Sequence, residues 1–374
     1  MKFNVDGKIF QQRLQAASKV INGKNALSIL DNFLLSTVGG DRLSITGSDS
    51  ENVLTVYVPI TDLEGEGAIA IPAKRLLEIT KEISNQPLTF YINDDTKEVD
   101  LRFLNGHFNF MGVSADEYPR PAQSTEERVE FTVPADMVKK GLDNTCFAVS
   151  VDTVRPIMTG IYWDIHEDDI TFVSSDTHKL VRYVNRAKAP GLEAHFIMPA
   201  KVANIIRSLI TSEDVDIRVS FDSKSGLFEF GEYFISCLFI HGNYPDYRRV
   251  IPENNPFNLE VDRETLMGAL RRVNLFSSKS SKLVVLNIQP NEVIISAQDY
   301  DYSTSAEERV TCSYEGNEMT IGFNGQYMVE ILGNLKEDAI RLLLSDPARP
   351  GLYTPAEKSE GEDIVIVQMP MQVI

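Results

Sequence analysis

Apolar residues recur at a fixed interval along this chain. Three segments read alike: KFNVDGKIFQQRLQAA from Lys2, EFTVPADMVKKGLDNT from Glu130 and NLEVDRETLMGALRRV from Asn258. Phe3, Phe131 and Leu259 are spaced by 128 residues, as are Val5, Val133 and Val261. The same offset relates Phe10, Val138 and Leu266, and again Leu14, Leu142 and Leu270. The spacing predicts a short strand leading into a helix, three times over. Each copy then carries a strand ending in a polar turn with aspartate: ITGSD to Asp49, FVSSD to Asp176 and ISAQD to Asp299. A strand-to-helix junction follows: AIAIPAKRLLEI from Ala68, HFIMPAKVANII from His195 and MTIGFNGQYMVEIL from Met319. The first two share Pro-Ala-Lys, and proline suits a first helical turn.

Segments such as VLTVYVPI, DITFVSS and EVIISA alternate or are rich in β-branched residues, as strands are. The predicted helices are 8–22, 72–84, 134–146, 199–212, 262–276 and 324–335. In the fourth, Val202, Ile205, Ile206, Leu209 and Ile210 form one face, and Lys201, Asn204, Ser208 and Thr211 the other. The fold class expected is α+β: three repeated domains, each with two helices packed on antiparallel sheet. The domains should run 1–125, 128–252 and 257–374. The polar stretches AQSTEE (122–127) and PENNP (252–256) serve as linkers.

Composition narrows the class. The chain has 374 residues, 43% hydrophobic and 24% charged, as in ordinary globular proteins. No apolar run reaches the roughly 18 residues of a membrane span. The start MKFNVDGKIF lacks the apolar core of a signal peptide. Cys146, Cys237 and Cys312 are few and scattered, which points to a reducing cytoplasm and to neither a disulfide framework nor a zinc site.

The net charge of −18 taken alone argues against nucleic acid. Its distribution argues the other way. The predicted helices hold 13 basic and 7 acidic residues, a surplus of six, which leaves −24 for the rest of the chain. Helices lining one concave face inside an acidic shell would attract a polyanion without reading its sequence.

Catalytic patterns are absent. Ser174, Ser175, Asp176, Thr177 and His178 crowd one strand end, where adjacent residues cannot assemble a triad and no nucleophile elbow exists. The DYDY run at 299–302 lacks the pattern and glycine of a calcium loop. GEG at 65–67 is not followed by a phosphate-loop lysine. Histidines 107, 166, 195 and 241 are dispersed. No catalytic residue, metal or cofactor is expected.

The segments MKF, SDTHKL (175–180), YPDYRRVIP (244–252), IGFN (321–324) and QMPMQVI at the end occur in order on this threefold repeat. In this the chain resembles the bacterial DNA polymerase III β subunits, the β sliding clamps, over essentially its whole length. The resemblance implies a non-catalytic processivity factor. Two copies would join head to tail into a closed ring around duplex DNA, opened by a clamp loader. The ring would tether the replicative polymerase and other replication and repair proteins. Closure would also cover the sheet edges that a lone chain exposes.

Three sets of residues follow from it. A partner-peptide groove is implied at Met158, Ser175, Thr177, His178, Lys179, Leu180, Pro245, Arg249, Val250, Asn324, Tyr327, Val367, Met369, Pro370 and Met371. Read without the resemblance, the C-terminal tail is a final strand. A DNA-facing set combines Lys24, which matches a basic loop position of the family, with helix-borne Arg13, Lys74, Arg75, Lys81, Lys139, Lys140, Lys201, Arg207, Arg271 and Arg272. Asp152 falls where the family has a DNA-contacting glutamine, so that contact is expected to be lost.

A dimer interface is implied at Phe108 and Phe110 on an edge strand, at Leu275 and Phe276 ending a helix, and at Glu307 and Glu308. Phe110 could equally be core. Ser281, Thr177 and the terminal Val373-Ile374 depart from common family residues, which affects fine peptide preference. The rival readings are a non-ring repeat scaffold binding proteins only, and an enzyme with a site assembled across domains.

Overall fold

The computed structural model describes residues 1–23, 25, 27–119, 127–187, 189–211, 215–357 and 359–373. Most of the first expected linker and Lys24 therefore lie outside the described residues. Among the described residues six helices form: α1 (Gly7–Ser18), α2 (Ala73–Ile83), α3 (Ala135–Thr145), α4 (Ala200–Leu209), α5 (Arg263–Val273) and α6 (Gly325–Asn334). Each is entered from a strand. Asp6 caps α1 by accepting from Ile9 N at 2.9 Å, and Asp262 caps α5 by accepting from Thr265 N at 2.7 Å. Pro72 and Pro199 close the strands Ala68–Pro72 and Ala194–Pro199, one position earlier than expected. All six helices are shorter than the pattern suggested. α1 stops at Ser18, and beyond Val273 the chain tightens into a 3₁₀ turn, Asn274–Phe276.

All twelve repeat positions are buried, from Phe3 and Val5 through Leu270. The repeat is thus a repeat of core contacts. The predicted apolar face of α4 is buried as well. The recurring aspartates are turn formers. Asp49 Oδ1 accepts from Glu51 N and Asn52 N, Asp176 Oδ1 from His178 N and Lys179 N, and Asp299 Oδ1 from Asp301 N and Tyr302 N. An aspartate side chain that mimics a backbone turn in this way closes a hairpin.

The chain divides into two compact units. The first comprises Met1–Asp136 and Lys201–Phe239, the second Met137–Ala200 and Ile240–Ile374. In the first, thirteen antiparallel strands form one sheet whose main path begins at Val129–Pro134 and ends at Gly106–Met111. Here Tyr233–Leu238 pairs with Asn52–Glu64, joining strands of the first and second repeats.

In the second unit a nine-stranded sheet runs from Ala194–Pro199 to Ser313–Glu315, and a four-stranded sheet runs from Thr304–Thr311 to Met319–Asn324. Its central pairing is Lys179–Asn185 with Glu362–Gln368, again strands of different repeats. The PENNP stretch forms neither helix nor strand, and Asn255 Nδ2 pins it to the carbonyls of Leu343 and Pro350. Among the described residues no helix is long and apolar enough to cross a membrane.

Packing in the second unit is tight enough to forbid a methyl group. A Cβ at Gly141 of α3 would meet three ring carbons of the fully buried Phe172 at 2.5–2.7 Å. Alanine gains about 1 kcal/mol in helix propensity, but overpacking costs about 1–3 kcal/mol. Gly141→Ala is therefore expected to lower stability by about 1 kcal/mol, the difference between those two effects. Trp163, the one tryptophan, stands 4.6 Å from the Phe172 ring and reports the transition by fluorescence in urea. An unchanged or higher midpoint would show that the ring yields.

Candidate partner-binding site

The hairpin Ile170–Ser175 to Lys179–Asn185 turns through Asp176–His178, and the turn is held from several sides. Ser175 Oγ donates to Lys179 O at 2.9 Å and accepts from Thr177 N at 3.1 Å. These bonds keep Thr177 at φ +76°. That left-handed conformation costs a residue with a Cβ about 1–2 kcal/mol. The result is a sharp corner with Leu180 on one side and Thr177 and His178 exposed on the other.

Val367 lies directly opposite Leu180 in the sheet, and Met369 N donates to His178 O at 2.9 Å. Met158 is fixed by Ser150 N donating to its carbonyl at 2.9 Å. The segment Tyr244–Val250 completes the wall. Together these residues enclose a cavity of about 280 Å³, lined by Met158, Ser175, Thr177, His178, Lys179, Leu180, Tyr244, Pro245, Tyr247, Val250, Val367 and Met369.

Ten of the fifteen sequence-derived groove residues therefore meet at one cavity. Arg249, Asn324, Tyr327, Pro370 and Met371 do not line it. Asn324, Tyr327 and Met371 stand beside it. Tyr327 stacks on His178 with centroids 5.8 Å apart, Gln368 Nε2 donates to Asn324 O at 3.0 Å, and Met371 N donates to Gly322 O at 2.8 Å. Arg249 is solvent-exposed and paired with Asp246 at 2.9 Å. The tail forms the strand Glu362–Gln368 and then adds Met369 to the cavity wall.

The tyrosines were missed. Tyr244 and Tyr247 line the cavity, and Tyr162 supports them, stacked on Tyr244 at 4.8 Å with planes 4° apart. Their signal was present in the pair of aromatics flanking Pro-Asp in YPDY.

Two charged clusters brace the site. Lys179 is 4% exposed; its ammonium meets Asp176 at 2.6 Å and Glu330 at 3.1 Å and lies 4.4 Å from the Tyr327 ring centre. Burial opposes the ammonium, but those two carboxylates outweigh it and hold its pKa above the ordinary value. Beneath the cavity, Tyr247 Oη donates to Asp164 Oδ2 at 2.8 Å, where Arg248 also binds at 2.8 Å. His166 approaches the same carboxylate at 3.4 Å and Glu193 at 2.8 Å. Burial works against the His166 cation, yet the Glu193 hydrogen bond and the Asp164 charge raise its pKa above 6.5.

Because the folded value is raised, this contribution to stability is complete below 6.5 and is lost as pH rises through the raised value. The wild type should therefore lose more stability than His166→Gln between pH 6 and pH 8, read by Trp163 fluorescence in urea. Parallel pH profiles would refute the assignment.

The helix cations fall into two groups. Lys139 pairs with Asp143 at 3.0 Å, Lys140 with Glu362 at 2.6 Å, and Arg272 with Glu308 through Nε at 2.9 Å. Lys201 is bound from several sides. Its ammonium donates to Val20 O and Asn22 Oδ1 and pairs with Asp49, so the charge is neutralised within the protein. Lys74, Arg75, Lys81 and Arg271 are exposed and form no ion pair among the described residues. Arg13 lies 5.2 Å from the Tyr233 ring centre, and Arg207 is half-buried. Asp152 caps a turn, accepting from Val154 N at 2.9 Å and pairing with Arg155 at 3.3 Å.

Two of the sheet-end strands carry residues of the expected interface. Gly106–Met111 ends the thirteen-stranded sheet, and on it Phe108 is 37% exposed, whereas Phe110 is buried and belongs to the core. Thr304–Thr311 ends the four-stranded sheet with Glu307 exposed. The 3₁₀ turn beside that sheet leaves Leu275 81% and Phe276 40% exposed.

A repeat-built α+β protein with open sheet edges and a preformed apolar cavity is the class these features define. Known proteins of that build are similar to it throughout. Residues 1–122, 132–246 and 248–372 match, in succession, the N-terminal, central and C-terminal domain models of the DNA polymerase III beta subunit. The beta sliding clamp of Salmonella typhimurium is 28% identical over 374 residues, all of both chains. Solved sliding clamps from Pseudomonas aeruginosa and, bound to griselimycin, from Bartonella birtlesii superpose with TM-scores of 0.93 and 0.92, each 25% identical over all of both chains. The chain belongs to the DNA polymerase III β subunit family, the β sliding clamps, which are non-catalytic processivity factors of DNA polymerase.

Proposed function

We propose that two copies of this chain close head to tail around duplex DNA in the bacterial cytoplasm and tether the replicative polymerase through a peptide seated in the Met158–Met369 cavity. In this reading the chain carries three clamp domains, 1–125, 128–252 and 257–374. The observation that carries it is the charge segregation. With the observed bounds the helices still hold six more cations than anions, in a chain of net charge −18. The exposed Lys74, Arg75, Lys81 and Arg271 supply mobile phosphate contacts, which hold DNA without fixing a register. Leu275 and Phe276 of one copy meet the Phe108 strand of the other, and each edge completes its neighbour's sheet. The cavity takes an apolar side chain, and its methionines let one site accept several partner peptides.

Retention tests the enclosure. Protein loaded on a closed circular duplex should remain through a salt step from ~50 to ~500 mM, a step that weakens open electrostatic binding by orders of magnitude. Cutting the circle should release it. Equal loss from circular and linear DNA would contradict enclosure and favour a scaffold that binds proteins only.

A further inference from the structure

The helix cations are unevenly answered by carboxylates. In the second repeat Lys139, Lys140 and Lys201 meet Asp143, Glu362 and Asp49. In the third, Arg263 and Arg272 meet Glu264 and Glu308, and α6 carries no cation at all. Among the described residues Arg271 is the only exposed cation of α3–α6 without an ion pair.

The first repeat differs. α1 contains no acidic residue, and Lys8, Gln12, Gln15 and Lys19 share one exposed stripe at helical spacing. Lys19 Nζ donates to Ser208 Oγ at 2.8 Å, a neutral partner that leaves its charge unanswered. Arg13 lies 5.2 Å from the Tyr233 ring centre, again without a carboxylate. On α2, Lys74, Arg75 and Lys81 are exposed and form no ion pair among the described residues. Only Glu78 and Glu82 of these two helices oppose them. A buried hydrogen bond between Thr80 and Gln11 fastens α2 to α1, so both sets of cations ride on one rigid pair of helices.

We propose that the α1–α2 pair of each copy is the principal phosphate-binding surface for duplex DNA, with Arg271 the main addition from the other helices. This rests on the enclosure reading and replaces an even lining by one adhesive repeat per chain. An unpaired ammonium gains a phosphate and releases counterions, whereas a paired one must first give up its carboxylate. Gln12 and Gln15 add neutral donors to the same stripe, and such contacts read no sequence. In a closed pair the duplex would therefore be held at two places and pass the remaining four repeats with little attraction.

The test uses the full-length protein and a labelled ~40-bp duplex of arbitrary sequence, with affinity followed by anisotropy across a salt series. The triple variant Lys8→Gln, Lys74→Gln, Lys81→Gln should weaken binding about tenfold or more at ~50 mM salt and reduce the log–log salt slope by about 2 to 3. The equally charged variant Lys139→Gln, Lys140→Gln, Lys201→Gln should weaken it no more than about threefold, with a slope change below about 1. Urea midpoints read at Trp163 establish that both variants are folded. Equal effects of the two triples, or a larger effect of the second, would overturn the inference, as would a wild type that does not bind the duplex at low salt. Retention on closed circles separates the two readings. A wild type lost equally from circles and linear DNA, with the first-repeat effect intact, would refute enclosure and leave the phosphate surface standing. A retained ring with equal effects would refute the surface alone.

Discussion

Replacing Leu275 and Phe276 together by aspartate is expected to turn the assembled protein into single chains of 41.9 kDa at micromolar concentration. Both side chains are apolar and exposed, Leu275 at 81% and Phe276 at 40%, so the fold of one chain does not depend on them. In a closed pair they would be covered, and each would then behave as an interface anchor. Losing one anchor of that kind costs about 2 kcal/mol or more, and two together weaken association roughly a thousandfold. Added carboxylates oppose closure further, because covering them against an apolar strand strips their hydration. Sedimentation equilibrium reads the mass, and Trp163 fluorescence confirms that the chain remains folded. Dimers of undiminished affinity would remove this turn from the interface and weaken the case for closure.

The second large effect concerns the cavity. On the peptide-groove reading, Met369→Asp is expected to weaken a partner peptide held in the cavity about a hundredfold while leaving dimerisation unchanged. Met369 is 43% exposed and its backbone N–H already serves His178 O, so the substitution spares both core and strand pairing. The new carboxylate would sit in a wall of Met158, Leu180, Val250 and Val367. An occupying ligand would desolvate it, at a cost of about 3 kcal/mol. Isothermal titration decides: an affinity within threefold of wild type would place the ligand elsewhere. A loss matched by a fall in the urea midpoint would instead mark Met369 as a stability residue.

The periodic features of the fold were legible because they are local. Phe3, Val5, Phe10 and Leu14 state a strand and a helix within thirteen residues, and their counterparts at 128-residue spacing are buried in the same way. Much of the cavity was legible through the family segments SDTHKL and YPDYRRVIP. Other features depend on partners far away in sequence. Lys201 reads as a surface helix cation, yet its partners are Val20, Asn22 and Asp49, more than 150 residues earlier. For Tyr244 and Tyr247, nothing local reveals that one hydroxyl meets Asp164 and the other has no hydrogen-bond partner among the described residues. Phe108 and Phe110 alternate identically in sequence, and only the packing around the edge strand separates an exposed ring from a core one. The strain at Thr177 was invisible for the same reason, because a positive φ is imposed by the turn bonds around it.

The middle repeat shares its sheets with both of its neighbours. Excised as 128–252, it would leave Tyr233–Leu238 without Asn52–Glu64 and Lys179–Asn185 without Glu362–Gln368. Two long, β-rich margins would be bared at once, an invitation to aggregation. Truncations and gene fusions that respect the visible repeats would therefore cut through the sheets.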